Sequence, residues 1–237
     1  MTDPHAALRA RLAEVKAKRG YLLPHHGLLA LTFPDLLAGY DAAYTAMALA
    51  DRVLSHHDRE FVWLAVLAAT DEGLATHHIA KFRAAGGDDA ERVAAFAAAG
   101  WAIGAEAYDF AARAWSAQLA PWNPQAAYIA GARRLAPARL VHLAQLAVHV
   151  CKARWRVLRW QIAAAYEDGV PEDEIAEALT LAMFPGSIPR FVEACGVGRE
   201  MIAAGAVPAS EPYRIWAAFE GQGGYDEAAG FSKSEGP

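Results

Sequence analysis

Apolar residues recur along the chain at intervals of three and four positions, which is the period of an α-helix. One such series runs Leu36, Leu37, Tyr40, Tyr44 and Met47. Alanine is abundant and runs of β-branched residues are scarce, so helix propensity agrees with the apolar spacing. No segment has the pattern of a convincing β-strand. The sequence therefore predicts an all-α fold.

Prolines, glycines and acidic capping residues divide this pattern into elements. Pro4, Pro34 and Asp58 open three helices, and Thr70 or Asp71 caps a fourth that ends at Gly86-Gly87. The predicted helices cover residues 4–19, 34–50, 58–69, 71–86, 125–135 and 138–166, the last of them broken or bent inside, with others after Asp88, over 102–120, after Pro171 and up to Ala204.

A sequence repeat connects the two halves of the chain. The stretch from His78 to Gly86 returns as Gln161 to Gly169, and the offset is constant at 83 residues. A helix that ends on glycine and restarts on an acidic turn, used twice at one spacing, predicts a duplicated helical bundle. Because the first copy keeps a histidine where the second has Gln161, we expect chemistry in the first copy.

The best linker candidate between the copies is the Pro-Trp-Asn-Pro segment at 121–124, because prolines stop helices. The sequence therefore predicts a first helical unit over residues 1–120 and a second, degenerate unit over 121–208. Beyond Pro208 the apolar pattern is lost, and residues 209–237 are predicted to be a flexible tail.

Composition narrows the function classes. The chain has 237 residues, of which 55% are hydrophobic, and a formal net charge of -5. Without a basic surface to hold phosphates, nucleic acid is not an expected partner. A small anionic substrate would need local arginines.

The compartment expected from the sequence is the cytoplasm. Cys151 and Cys195 lie far apart and show no metal-type spacing, which fits a reducing environment. The start of the chain has no signal-peptide pattern, and the apolar stretch 61–69 is too short to cross a bilayer. No membrane association, metal or organic cofactor is expected.

Histidines occur as three adjacent pairs, at 25–26, 56–57 and 77–78. Neighbours on a helix point about 100° apart, so such a pair does not chelate one metal as histidines at i and i+4 do. His77 and His78 differ from the other pairs because they are predicted to lie in the middle of an amphipathic helix, where only one can face a partner helix.

Glu60 is the expected partner of His78. In two antiparallel helices joined near Asp71, their heights differ by roughly 6 Å, which a glutamate side chain can largely cover. A carboxylate that touches an imidazole fixes its tautomer, which is the ordinary construction of an acid/base pair. The alternative is a hydrogen bond that only satisfies two buried polar groups.

The run Arg59 to Ala69, followed by a turn and then His78 to Gly86, resembles the core of the carboxymuconolactone decarboxylase and alkylhydroperoxidase D superfamily. That core has a glutamate opening an apolar helix, a short turn with reactive groups, and a histidine eight residues before a glycine. The resemblance covers most of residues 20–205. It implies an all-α duplicated bundle and a homo-oligomer, commonly a trimer or hexamer.

The departures from the family pattern concern the reactive turn. Asp71 and Leu74 stand where the peroxidase branch has its CxxC cysteines, so the two thiols of a peroxidatic reaction are missing. Leu74 also replaces the glutamate of the decarboxylase branch, although Glu72 lies nearby. Glu60 and His78 are the positions that transfer.

In the second copy, His142 or a neighbour takes the place of Glu60. Arg154, Arg156 and Arg159 follow on the same predicted helix, interleaved with tryptophans. Such residues could line a pocket for an anion. The alternative is a solvated or intersubunit charged face.

The sequence thus predicts a cofactor-free enzyme that performs decarboxylase or lactone chemistry on a small carboxylated cyclic substrate. The expected catalytic residues are His78, Glu60, His77 and Glu72. The expected substrate-binding residues are Asp71, His142 and Arg154. Two alternatives stay open, a thiol peroxidase using Cys151 or Cys195, and a noncatalytic oligomeric helical protein.

Overall fold

The computed structural model describes residues 5–230, which contain helices and no β-strands. The all-α prediction is confirmed, while the helix start predicted at Pro4 lies outside the described residues. The helices are α1 (Ala6–Arg19), α2 (Pro24–Thr32), α3 (Pro34–Tyr44), α4 (His56–Thr70), α5 (His77–Ala84), α6 (Asp89–Ala114), α7 (Ser116–Leu119), α8 (Pro124–Ala132), α9 (Ala138–Cys151), α10 (Trp155–Glu167), α11 (Glu172–Leu181), α12 (Ile188–Ala203), α13 (Glu211–Ala218) and α14 (Gly224–Ala228), with a π-helical turn over Thr45–Leu49.

The chain divides into two compact bodies, Met1–Ala50 and Asp51–Pro237. The N-terminal body contains α1 to α3 and is held by polar contacts such as that of Arg11, whose Nη1 donates to the Ala30 carbonyl at 2.7 Å. Both copies of the sequence repeat lie in the second body. Helices on either side of residue 120 pack against each other, since α6 contacts α8 and α9. The assignment of residues 1–120 and 121–208 to two copies of one unit stays a prediction.

Two helices, α4 and α9, form the centre of the second body. Residues 59–66 of α4 and 140–151 of α9 are buried without interruption. A helix buried on every side must be surrounded by other elements. Here α4 and α9 pack against each other and against α6 and α11, and α10 packs on α9.

Local capping residues set several helix starts. The Ser55 hydroxyl accepts a hydrogen bond from Asp58 N at 3.1 Å at the start of α4. Asp88 and Glu91 form a reciprocal capping box at the start of α6. Asn123 caps α8. These side chains satisfy backbone donors that a helix leaves without partners.

The two copies share their backbone turns. Gly86 and Gly169 both have left-handed φ angles, 94° and 74°. In each copy the next residue donates its N–H to the carbonyl five residues earlier, at 2.9 Å. The first helix of each copy, α4 or α9, is likewise followed by a left-handed residue, Asp71 or Ala153. The repeat is therefore visible in backbone geometry.

Two predicted segments need correction. Residues 71–76 form a turn, so His77 and His78 begin α5 instead of lying in the middle of a helix. The left-handed Asp71 ends α4 and causes this break. The predicted tail contains α13 and α14, and the Ala217 carbonyl in α13 accepts a hydrogen bond from Arg199 in α12 at 3.1 Å.

The remainder of the predicted tail, residues 231–237, lies outside the described residues. The break expected inside 138–166 falls at residues 152–154, between α9 and α10. Among residues 5–230, no helix combines the length and the apolar character needed to span a bilayer.

Candidate functional site

A buried hydrogen bond joins α4 to α5. Nδ1 of His78 donates to Oε2 of Glu60 across 2.6 Å, and only 3% of His78 and 4% of Glu60 is exposed. The contact expected from the sequence is present. Because Nδ1 donates to a carboxylate, Nε2 is the proton-accepting nitrogen of the neutral ring.

Trp63 packs on this pair. Its ring centroid lies 5.0 Å from that of His78, with the ring planes inclined by 30°. Its Nε1 is buried and has no hydrogen-bond partner among the described residues, although a buried indole N–H usually has one. Sequence reasoning missed Trp63, although it follows Glu60 by one helical turn and so shares its face.

A surface depression of about 250 Å³ lies beside the pair, at the turn between α4 and α5. Asp71, Glu72 and Ile79 contribute to its lining, and neither Glu60 nor His78 does. The pair itself is therefore not part of this depression. The pair is covered on the ring faces of His78, where Trp63 packs at 5.0 Å and the His77 ring at 4.3 Å.

The four expected catalytic residues are thus divided between two places. Glu60, His77 and His78 lie together, and His77 is half-buried. Glu72 is exposed and lies with Asp71 at the depression. Asp71 follows the last residue of α4 and lines the depression. Its side chain is therefore separate from the buried pair.

His142 occupies the expected place of Glu60 in the second copy. Its Nδ1 accepts a hydrogen bond from Nε2 of Gln161 at 2.7 Å, and its Nε2 donates to Asp168 at 2.7 Å. Arg133 donates to the same Asp168 oxygen at 2.7 Å and holds the pKa of this carboxyl below its usual value. Burial lowers the pKa of His142 despite this carboxylate.

Arg154 does not approach the second-copy pair through any contact in the described residues. Its Nη1 donates to the carbonyls of Ala102 and Ile103 at 3.0 and 2.9 Å, and its Nη2 bonds Glu106. Arg156 and Arg159 pair with Asp109 and Glu200. The break at 152–154 causes this arrangement, because it turns the start of α10 towards α6. A depression of about 370 Å³ does lie here and is lined by Arg154 and Arg156, but Glu106 and Asp109 line it as well. The arginines that the sequence places in an anion pocket therefore pair with carboxylates of the same depression.

A charged network that sequence reasoning missed connects the starts of α4, α6, α9 and α11. His57 lies 3.1 Å from both Asp58 and Glu91, and Arg139 donates to Asp58 at 2.9 Å and to Glu174 at 2.6 Å. Although burial opposes it, the two carboxylates raise the pKa of His57. The available signal was the repeat itself, since Glu91 and Glu174 are 83 residues apart.

The two thiols lie in other parts of the second body. Cys151 is buried, and burial raises the pKa of its thiol to about 12. Cys195 lines an apolar cavity of about 220 Å³ between α10, α11, α12 and α13, and burial raises its pKa as well. Neither environment favours the thiolate that attack on a peroxide requires.

Comparison of the chain with protein-family models, with curated proteins and with solved structures finds no match. The superfamily assignment therefore stays a prediction from the motif. In the described part of the chain, no three His, Cys, Asp or Glu side chains are grouped so that they could hold a metal ion.

Proposed function

We propose that this protein is a cofactor-free acid/base enzyme of the carboxymuconolactone decarboxylase type, with His78 as the proton-transfer group. The observation that carries the proposal is the 2.6 Å hydrogen bond from His78 to the buried Glu60. A carboxylate that holds one ring nitrogen leaves the other in a defined state to take up and deliver a proton.

Trp63 gives this pair a binding function as well. A substrate oxygen beside His78 would accept a hydrogen bond from the indole N–H of Trp63, which has no hydrogen-bond partner among the described residues. Decarboxylation and lactone opening both place negative charge on a carbonyl oxygen, and a fixed donor at that point stabilises the charge. His78 would then protonate the carbanion or leaving group.

Access to the pair would run through the depression at 71–76. Because Glu60 and His78 are nearly sealed, the turn that carries Asp71 and Glu72 has to move before a small cyclic substrate can enter. Thr76 places no side-chain cap on α5, so opening this end breaks backbone hydrogen bonds of the turn, such as that from the Ala75 N–H to the Glu72 carbonyl. A carboxylated substrate would pass two exposed carboxylates, which slows its approach.

The proposal has two further parts. Each chain contains two copies of one decarboxylase-type unit, and the chain forms a homo-oligomer. A suitable contact surface is the exposed stripe of α6, which we define as Val93, Phe96, Gly100, Ile103, Ala107 and Phe110. Its alternating spacing of three and four residues is the spacing of a helix-pairing seam.

A second copy of the chain fits this stripe in an antiparallel arrangement. Val93 then faces Phe110, Phe96 faces Ala107 and Ile103 faces Gly100, so large side chains meet small ones. The exposed Arg113 also approaches the exposed Asp89 of the other copy. Such a contact is two-fold, which fits a hexamer and excludes an isolated trimer.

A noncatalytic helical assembly is the second candidate function. It is favoured by the burial of Glu60 and His78, which line none of the cavities described above. A thiol peroxidase is disfavoured by the raised thiol pKa values, and changing both cysteines to serine in a hydroperoxide assay tests it directly.

The deciding experiment screens small carboxylated lactones and β-keto acids for turnover by the wild-type protein and by His78→Gln and Glu60→Gln variants. A matched control combines Glu60→His with His78→Gln, because it recreates the His–Gln pair of the second copy. We expect turnover that falls about 10²-fold or more in all three variants. Unchanged turnover in folded His78→Gln would refute the catalytic role, and no turnover by the wild type would favour the noncatalytic assembly.

A further inference from the structure

Four buried polar atoms in the second copy have no hydrogen-bond partner among the described residues. They are both amide atoms of Gln145, Nδ1 of His149 and Oε1 of Gln161. All three side chains are completely buried. A buried amide without partners costs about 1–3 kcal/mol, and such groups in folded proteins are usually satisfied by protein or by ordered water.

These atoms belong to one neighbourhood. His142, Gln145 and His149 follow each other at intervals of three and four residues on one face of α9. Gln161 of α10 reaches this face, because its amide lies 2.7 Å from His142. In the first copy, Trp63 holds the position that corresponds to Gln145, and His78 holds the position that corresponds to Gln161. The rings of Trp63 and His78 stack at a centroid distance of 5.0 Å.

The side chains of Gln145, His149 and Gln161 form a group of hydrogen-bonding atoms without a net charge. Burial lowers the pKa of His149 to about 3, so its ring is uncharged near neutral pH. The Tyr128 hydroxyl lies 2.9 Å from Nε2 of His149. In the tautomer whose Nε2 accepts from this hydroxyl, Nδ1 is the donor nitrogen. The four atoms then comprise two donors, Gln145 Nε2 and His149 Nδ1, and two acceptors, Gln145 Oε1 and Gln161 Oε1.

We infer that the face of α9 between Gln145 and His149, together with Gln161, binds one or two water molecules. Water offers two donors and two acceptors and carries no charge, which complements this set. An ion would have no opposite charge among these side chains. A larger organic molecule would require side chains that are 0% exposed to move apart. The water joins the Tyr128–His149 bond to the Gln161–His142–Asp168 chain.

The direct test is a crystal structure of the wild-type protein at a resolution that shows ordered water. We expect solvent density within hydrogen-bonding distance of at least three of the four atoms. Density for an organic molecule, no density, or a Gln145 side chain turned to a protein partner would each overturn the inference.

The independent test is the sign of a stability change. Gln145→Met keeps the length of the side chain and removes both polar atoms. If water is bound, the variant leaves the polar atoms of Gln161 and His149 with fewer hydrogen bonds, so its urea midpoint falls. The fall is then larger than that of Leu146→Met, a control at a buried neighbour on α9. If the site is dry, removing the amide raises the midpoint above the wild type. A rise, or a fall no larger than the control, overturns the inference.

Discussion

Gln161 donates its amide to Nδ1 of His142 across 2.7 Å, at the place where the first copy holds His78 against Glu60. The same two helix positions therefore carry a carboxyl–imidazole hydrogen bond in one copy and an amide–imidazole hydrogen bond in the other. A buried polar contact is thus common to both copies, whereas the carboxylate that the proposed acid/base chemistry uses is present in the first copy's contact only.

Glu60 and His78 are expected to depend on each other for stability. Removing either by substitution with alanine leaves its partner buried without a hydrogen bond, which costs about 1–3 kcal/mol. Urea unfolding of both single variants and of the double variant gives the coupling energy. We expect about 1 kcal/mol or more, and additive effects would contradict the buried bond.

Arg59 and Glu177 form a buried ion pair between α4 and α11, with Nε 3.7 Å from Oε1 and side-chain exposures of 1% and 6%. Glu177→Gln is expected to lower the free energy of unfolding by about 1–3 kcal/mol, because it removes a buried carboxylate that faces this guanidinium and accepts a hydrogen bond from the Leu54 N–H at 2.8 Å. The control is Glu174→Gln, whose partner Arg139 is 40% exposed, and which should cost about 1 kcal/mol or less. Equal losses would show that Arg59 is solvated.

His149 is expected to weaken the fold in acid. Burial lowers its folded-state pKa to about 3, while the unfolded chain has the ordinary value near 6.5, so the unfolded state binds the proton first. Its stabilising contribution is complete above pH 6.5 and is lost as the pH falls towards 3, by up to about 1.4 kcal/mol per pH unit. Urea unfolding between pH 7 and pH 4.5 should have a shallower slope in His149→Phe, and parallel slopes would refute the assignment.

Gly131 in α8 is required by the ring of Trp101. A Cβ at this position would overlap the indole, whereas a Cβ at Gly104 on the exposed side of α6 meets nothing within 4 Å. Gly131→Ala is therefore expected to lower stability by about 1–3 kcal/mol, and Gly104→Ala to raise it by up to about 1 kcal/mol. Thermal unfolding of the two variants checks the opposite signs, and a stabilised Gly131→Ala would mean that Trp101 can move.

The α6 stripe is expected to control self-association. In the proposed antiparallel contact, Ile103→Glu places a carboxylate of each copy against apolar groups at the centre of the stripe. The variant should therefore sediment as smaller species than the wild type in analytical ultracentrifugation. Val192→Glu adds the same charge at a position 61% exposed on α12 and should leave the mass unchanged. An unaffected Ile103→Glu oligomer would place the contact elsewhere.

Local chemistry determined a large part of this protein. The three- and four-residue apolar spacing predicted helices, the glycines predicted the turns at Gly86 and Gly169, and the repeat predicted which residues correspond. These features depend on neighbours within a few positions or on one constant offset. The meeting of Glu60 and His78 could also be predicted, because two consecutive antiparallel helices leave little choice of contact.

The rest was decided by packing between segments far apart in the chain. Arg154 turns to the carbonyls of α6 because a break of three residues reorients α10. Asp168 reaches His142 across 26 residues, and no spacing within one helix indicates this contact. The sequence alone identified Glu60 and His78 as the candidate acid/base pair. Only the tertiary structure decided that Trp63 and His77 cover this pair, because the burial of a side chain depends on contacts from several helices.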